Sequence, residues 1–188
     1  MLVRLSDERP MRGDIEVSVI QERYARSFEH PLPRQLNFAQ DRTNVDLAAN
    51  IVEARERGVT LLGPPPDSMF GPVPWHAFVN ALEADFTWAG SHLEDMPVYV
   101  VLNACRVLHG ATSRAMTALN KDEAALWALQ NVPAEYHSIV NDALQVYRGT
   151  KSIDDVVLST REIAAFREHV RERSQPAFAR ASDTGEEE

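Results

Sequence analysis

Two basic residues stand at positions where each would face an anion. Arg106 lies within residues 97–109, an apolar segment that predicts a central, buried helix. A buried guanidinium needs a partner, either a structural carboxylate or an anionic ligand such as a phosphate, and we favour the structural salt bridge. Lys121 falls in the first turn of the next predicted helix, where its charge opposes the helix dipole. Because the N–H groups of that helix end attract anions, Lys121 indicates either a triphosphate contact or an ordinary solvated lysine.

The predicted helix over 97–109 also carries a line of polar residues on one side. Tyr99, Asn103 and Arg106 are spaced i, i+4 and i+7, which places them on one face. Tyr147 closes the apolar stripe of a later helix. That spacing predicts core packing first, although the edge of the ring is also suited to a base or a ribose.

Two carboxylates complete the set of candidate residues. Glu16 lies in residues 14–20, whose alternating pattern predicts a strand, and it shares the polar face with Ser18. Asp46 falls in the first turn of a helix predicted over 43–57, where the helix dipole alone would explain an acidic residue. Each of the two has an ordinary structural interpretation when taken by itself.

The usual catalytic and metal-binding motifs are not found in this sequence. The six histidines show no metal-ligand spacing, and there is no GxSxG, GxGxxG or Walker motif. We therefore predict no metal-binding residues in this chain. Cys105 is the only cysteine, which excludes an internal disulfide framework.

Composition excludes several classes of function. The chain has 188 residues, of which 44% are hydrophobic and 25% charged, the mixture of a globular protein. Its net charge of −9 argues against a nucleic-acid binder, which needs excess basic charge. No apolar run approaches the length of a membrane span, and the charged N-terminus does not resemble a signal peptide. We expect a soluble, cytoplasmic protein without nucleic-acid or membrane partners.

The elements that must position these residues are mostly helical. The segment 97–109 is interpreted as a helix, although its β-branched run would also permit a strand. We predict a mainly α (α+β) fold: a small β-containing segment over 1–40, a bundle of five or six helices over 41–174 and a disordered acidic tail over 175–188. The predicted helices span residues 43–57, 74–88, 97–109, 121–130, 133–147 and 153–173.

Several segments, in their order and spacing, carry a family resemblance over residues 13–170. The chain resembles the aminoglycoside adenylyltransferases of the streptomycin/spectinomycin type. The matching segments are DIEVSVI at 14–20, LLGP at 61–64, FGPVP at 70–74, VVLNACR at 100–106, KDEAALW at 121–127, VPAEY at 132–136 and ALQVYRG at 143–149.

The resemblance implies a chemistry and a role for each candidate. The family transfers AMP from Mg-ATP to a hydroxyl of the aminoglycoside, so ATP and Mg²⁺ are the expected cofactors and an aminoglycoside-like antibiotic the expected substrate. Glu16 matches the catalytic carboxylate that acts as the base. The nucleotide-binding positions matched are Asp46, Arg106, Lys121 and Tyr147, and the antibiotic side falls at Met96 and Tyr99.

One departure from the family pattern bears on activity. The family's N-terminal nucleotidyltransferase domain carries a Gly-Ser motif followed by an Asp-x-Asp metal pair. This sequence has no such combination, because its Gly90-Ser91 is followed by His-Leu-Glu-Asp and falls within the predicted bundle. We therefore expect residues 1–40 to be a remnant of that domain, the chain to be truncated at its N-terminus, and catalysis by this chain alone to be impaired. The alternative is a non-catalytic helical module that binds a nucleotide or a protein. The acceptor hydroxyl and the oligomeric state are left open.

Overall fold

The structure is a computed structural model that describes residues 2–3, 17–18, 47–60, 63–113 and 116–184. It divides into two compact units, Met1–Val73 and Pro74–Glu188. The predicted domain boundary near residue 40 lies outside the described residues and stays a prediction.

In the part of the first unit that the structure describes, there are a short antiparallel strand pair and two helices. Strand β1 (Leu2–Val3) pairs with β2 (Val17–Ser18), which is the central part of the strand predicted over 14–20. Helix α1 spans Leu47–Arg57, within the helix predicted over 43–57, and it buries one apolar face, which includes Leu47 and Ile51. A short helix, α2 (Pro66–Met69), follows it and begins at a proline, because the first helical position needs no N–H donor.

The second unit is a bundle of five long helices. They are α3 (Trp75–Gly90), α4 (Pro97–Ser113), α5 (Lys121–Asn131), α6 (His137–Tyr147) and α7 (Thr160–Thr184). Short 3-10 turns at Ala134–Tyr136 and Ile153–Asp155 precede α6 and α7. The prediction of a mainly α fold with a helical bundle is confirmed, and so is the interpretation of 97–109 as a helix rather than a strand. No helix among the described residues is long and apolar enough to cross a membrane.

Helix α4 lies at the centre of this bundle. It contacts α3, α5, α6 and α7, and it is buried on nearly every side, as its composition predicted. Gly110 allows a close approach between α3 and α4, because a Cβ at this position would lie 2.5 Å from Leu82 Cδ1. The absence of a side chain at Gly110 therefore lets the two helices pack directly against each other.

Local signals in the sequence set the limits of α5 and α6. Asn120 and Glu123 form a capping box, in which each side chain accepts a hydrogen bond from the backbone N–H of the other residue. Gly149 follows α6 with a φ of 69°, a conformation that favours glycine.

The end of the last helix corrects the sequence prediction. Helix α7 continues to Thr184 instead of ending near Arg173, so the prediction of a disordered tail from 175 is wrong for residues 175–184. Pro176 lies inside the helix and removes one N–H donor. The helix continues because Ala177, Phe178 and Ala181 extend its buried stripe into the core.

Candidate functional site

The Lys121 ammonium lies between two aromatic rings from neighbouring helices. Its Nζ atom is 4.3 Å from the centroid of the Tyr99 ring, on α4, and 6.0 Å from that of Tyr147, at the end of α6. Both distances are within the range of a cation–π attraction. We call these three residues the Lys121 cluster. The structure thus brings together three residues that the sequence placed on three different helices.

A carboxylate that the sequence analysis missed fixes the Tyr99 side of this cluster. The Tyr99 hydroxyl donates to Asp85 Oδ1 at 2.9 Å, and Asn103 Nδ2 donates to Asp85 Oδ2 at 2.6 Å. Asp85 belongs to α3, seven residues after Phe78 on the stripe that faces the core. The sequence did contain a signal for this contact. A carboxylate on a stripe that faces the core is half-buried, and a half-buried charge needs hydrogen-bond partners.

The α3–α4 junction exposes aromatic and apolar surface beside Tyr99. Trp88, 48% exposed, meets the Tyr99 ring edge-on with centroids 5.7 Å apart, and it stacks against His92 at 4.2 Å. Met96, predicted on the antibiotic side, is 39% exposed just before α4 begins. The two residues assigned to the antibiotic side, Met96 and Tyr99, therefore lie within one turn of each other.

The N-terminus of α5 is already stabilised by protein groups. Glu123 occupies its capping box, and Asp122 adds a second carboxylate to the first turn. Arg148 binds Asp122 through Nε at 2.5 Å and Nη2 at 2.6 Å, and this hydrogen bonding raises the pKa of Arg148. The dipole of α5 is thus compensated by carboxylates. An anion at this site would be attracted by the Lys121 side chain rather than by the helix end.

Arg106 lies on the same face of α4 as Tyr99, about two turns further along. Its side chain is half-buried, and no carboxylate in the described part of the chain forms an ion pair with it. The structural salt bridge favoured from the sequence is therefore not found among these residues.

Two predicted site residues, Glu16 and Asp46, lie outside the described residues, and their roles stay predictions. Within the described ranges no group of three or more histidine, cysteine or carboxylate side chains is arranged to hold a metal ion. These residues do not fit a Mg²⁺ site, and we derive no catalytic step through the metal.

A separate cavity of about 540 Å³ lies beside α6 and α7 and shares no residue with the Lys121 cluster. Its one lysine, Lys151, is paired with Asp142 at 3.0 Å. Because carboxylates dominate its lining, it is unsuited to a triphosphate. The acidic residues that line it are Glu135, Asp142, Asp155 and Glu162.

Comparison with known proteins gives the family. The family model described as the C-terminal domain of aminoglycoside adenylyltransferase matches residues 68–173, more than half of the chain. The chain belongs to the aminoglycoside adenylyltransferase family. The matched residues include four of the five helices of the second unit, together with Asp85 and the whole Lys121 cluster.

Curated relatives agree with this family. The chain is 29% identical over 155 residues to an aminoglycoside (3'') (9) adenylyltransferase of Klebsiella pneumoniae, and 29% identical over 157 residues to one of Rhizobium radiobacter. These matches cover 72% and 73% of this chain and 56% of each relative. The chain therefore spans about half the length of the relatives it matches.

A solved structure shares the fold. The spectinomycin adenyltransferase AAD(9) from Enterococcus faecialis, crystallised with ATP and spectinomycin, superposes with a TM-score of 0.62 at 15% sequence identity. The match covers 76% of this chain and 55% of that one. At this identity the likeness concerns the fold.

Proposed function

We propose that the helical unit of this chain binds ATP at the Lys121 cluster and contributes to the transfer of AMP to a hydroxyl of an aminoglycoside-like antibiotic. The family supports the reaction class, and the ATP and spectinomycin of the AAD(9) structure support these ligands. The observation that carries the proposal is the position of the Lys121 ammonium between Tyr99 and Tyr147.

The two sides of this ammonium suit a nucleotide. A lysine attracts phosphate as a compact point charge with three donors. Tyr147 is 45% exposed, so part of its ring is available to a base or a ribose. Arg106, half-buried on the Tyr99 face of α4, offers a second cation to the triphosphate.

The proposed transfer breaks one bond and forms one. The hydroxyl oxygen of the acceptor attacks the α-phosphorus of ATP, the bond from that phosphorus to the bridging oxygen breaks, and pyrophosphate leaves. The hydroxyl proton passes to a carboxylate, a role that we predict for Glu16. A cytoplasmic location remains part of the proposal.

Calorimetric titration with ATP tests the binding step. We expect the 188-residue chain to bind ATP and the Lys121→Ala variant to bind it about 10- to 100-fold more weakly, the loss that fits one hydrogen bond to a charged group. Lys151→Ala is the matched control, because it removes the only other lysine and leaves the cluster intact. Equal affinity in the chain and in Lys121→Ala would contradict the proposal, as would no binding of ATP by the chain.

Mass spectrometry of the antibiotic tests the transfer step. Streptomycin and spectinomycin are each incubated with ATP and the chain. The mass of each product then shows whether AMP has been added to the antibiotic. Addition of AMP that depends on Lys121 supports the adenylyltransferase. ATP binding without any addition supports the alternative of a nucleotide-binding module.

A further inference from the structure

We propose that Asp85 is a positioning residue that acts on Lys121 through Tyr99. Two contacts connect these residues. Asp85 accepts a hydrogen bond from the Tyr99 hydroxyl, and the Lys121 ammonium lies over the face of the Tyr99 ring. The consequence for ATP rests on the function proposed above, whereas the positioning itself is independent of any ligand.

Both oxygens of the Asp85 carboxylate are used by α4. Tyr99 and Asn103 are four residues apart on one face of this helix, and each donates to a different oxygen. The Asn103 side chain is fully buried, and within the described residues its Oδ1 has no hydrogen-bond partner. Loss of Asp85 would thus leave the whole buried amide of Asn103 without a partner, which the surrounding structure would have to accommodate.

The Tyr99 ring is held at two points. Asp85 fixes its hydroxyl, and Trp88, one turn later on α3, packs edge-on against the ring at an interplanar angle of 88°. Tyr99 lies in the first turn of α4, so the helix alone would leave its side chain a choice of rotamers. The two contacts from α3 select the orientation in which one face of the ring meets Lys121.

The same hydrogen bond strengthens the attraction between the ring and the ammonium. A hydrogen bond from the phenol to a carboxylate adds electron density to the ring. A cation over the face of an aromatic ring is attracted by that density. Asp85 therefore acts on the position of the Lys121 ammonium through the Tyr99 ring.

The presence of only two lysines allows a direct test. Reductive methylation with ¹³C-formaldehyde keeps the charge of each lysine and adds an NMR label to Lys121, Lys151 and the N-terminal amine. Methyl groups above an aromatic ring are shifted upfield by its ring current, so the Lys121 signal should lie upfield of the Lys151 signal. Lys151, paired with Asp142, serves as the internal reference, and Lys121→Ala assigns the peaks.

Four variants separate positioning from general structural damage. We expect Asp85→Ala and Tyr99→Phe each to lose a large part of the upfield shift, because the first removes the acceptor and the second the hydroxyl. Asp85→Asn retains an oxygen that can accept from Tyr99 and should keep most of the shift. Glu83→Ala, on the same helix, removes the same charge and should keep all of it. If Tyr99→Phe is folded and retains the full shift, the proposal is overturned.

ATP affinity provides the second measurement. Asp85→Ala should weaken ATP binding about 2- to 5-fold, the factor that corresponds to an exposed cation–π contact. If the Lys121 signal responds to Asp85→Ala but the chain does not bind ATP, the positioning stands and the proposed function fails. If ATP binding depends on Lys121 while the Lys121 signal is unchanged in Asp85→Ala, the positioning is wrong and the proposed function stands.

Discussion

Cys105 is a thiol enclosed within the central helix. It is fully buried on α4, and burial raises the pKa of this thiol well above its ordinary value. Its chemistry is thus suppressed by its surroundings, because the thiolate is the reactive form. The residue is a small packing group rather than a nucleophile.

This gives a prediction for thiol reactivity and for alkaline stability. The native chain should not react with a thiol reagent at pH 8, and denaturant should expose one thiol per chain. The folded pKa is raised, so the stabilisation is present below the ordinary value of 9.0 and is lost as the pH rises above it. Urea unfolding from pH 7 to pH 10 should show a steeper alkaline loss for the chain than for Cys105→Ala. The same dependence of the free energy of unfolding on pH in the chain and in Cys105→Ala would refute this prediction.

The residues of the site were only partly predictable. The spacing of Tyr99, Asn103 and Arg106 placed them correctly on one face of α4, because helical periodicity is a local property. The partner of the first two, Asp85, was missed, since it reaches them from another helix. Pairing between helices depends on packing that no local spacing encodes.

At the scale of single elements, the start of α5 depends on its capping box. Asn120→Ala removes the side-chain acceptor for the Glu123 N–H and should lower the free energy of unfolding by about 1 kcal/mol. Urea denaturation measures this change. Asn131→Ala, at the exposed end of the same helix, should cost less than about 0.5 kcal/mol. An equal loss in both variants would show that the cap contributes nothing specific.

The contact between α3 and α4 sets two effects against each other. Gly110→Ala gains about 1 kcal/mol in helix propensity. The new Cβ would lie 2.5 Å from Leu82 Cδ1, and such overpacking costs about 1–3 kcal/mol. We expect a net destabilisation in thermal or urea unfolding, and a smaller one when Leu82 is already alanine. A stabilised Gly110→Ala would mean that the helices separate easily.

The limits of the helices were predictable where a local signal exists. Asn120 and Glu123 form the cap at the start of α5, and Gly149 forms the turn after α6, each close to a helix limit that the sequence predicted. The end of α7 was not predictable in this way. The predicted end at residue 173 was wrong, because the burial of Phe178 outweighs the local effect of Pro176 inside the helix.

For the whole molecule, the last three turns of α7 are a test of how far the core extends. Truncation after Arg173 removes Phe178, whose burial alone is worth about 2 kcal/mol, together with two buried alanines. We expect a lower melting temperature than for a chain that ends at Thr184. Equal melting temperatures would show that residues 174–184 do not belong to the folded unit.

The mainly helical fold could be predicted from the helical periodicity over 74–147, because the apolar stripes and the caps indicate the same helices there. The candidate site could be predicted less completely from the sequence. Its helical wall is described, whereas Glu16 and Asp46 lie outside the described residues. Their contribution depends on an arrangement that local sequence signals do not specify.

The tight packing at Gly110 has a consequence for the kinetics of binding. Contacts between α3 and α4 run from Leu82 and Gly110 to Asp85 and Tyr99, so there is little room for one helix to slide along the other. We therefore expect the surface that they present to be formed before any ligand arrives, with adjustment confined to side chains at its border. Association should then follow a single exponential in stopped-flow experiments, without the slow phase of a rearranging backbone.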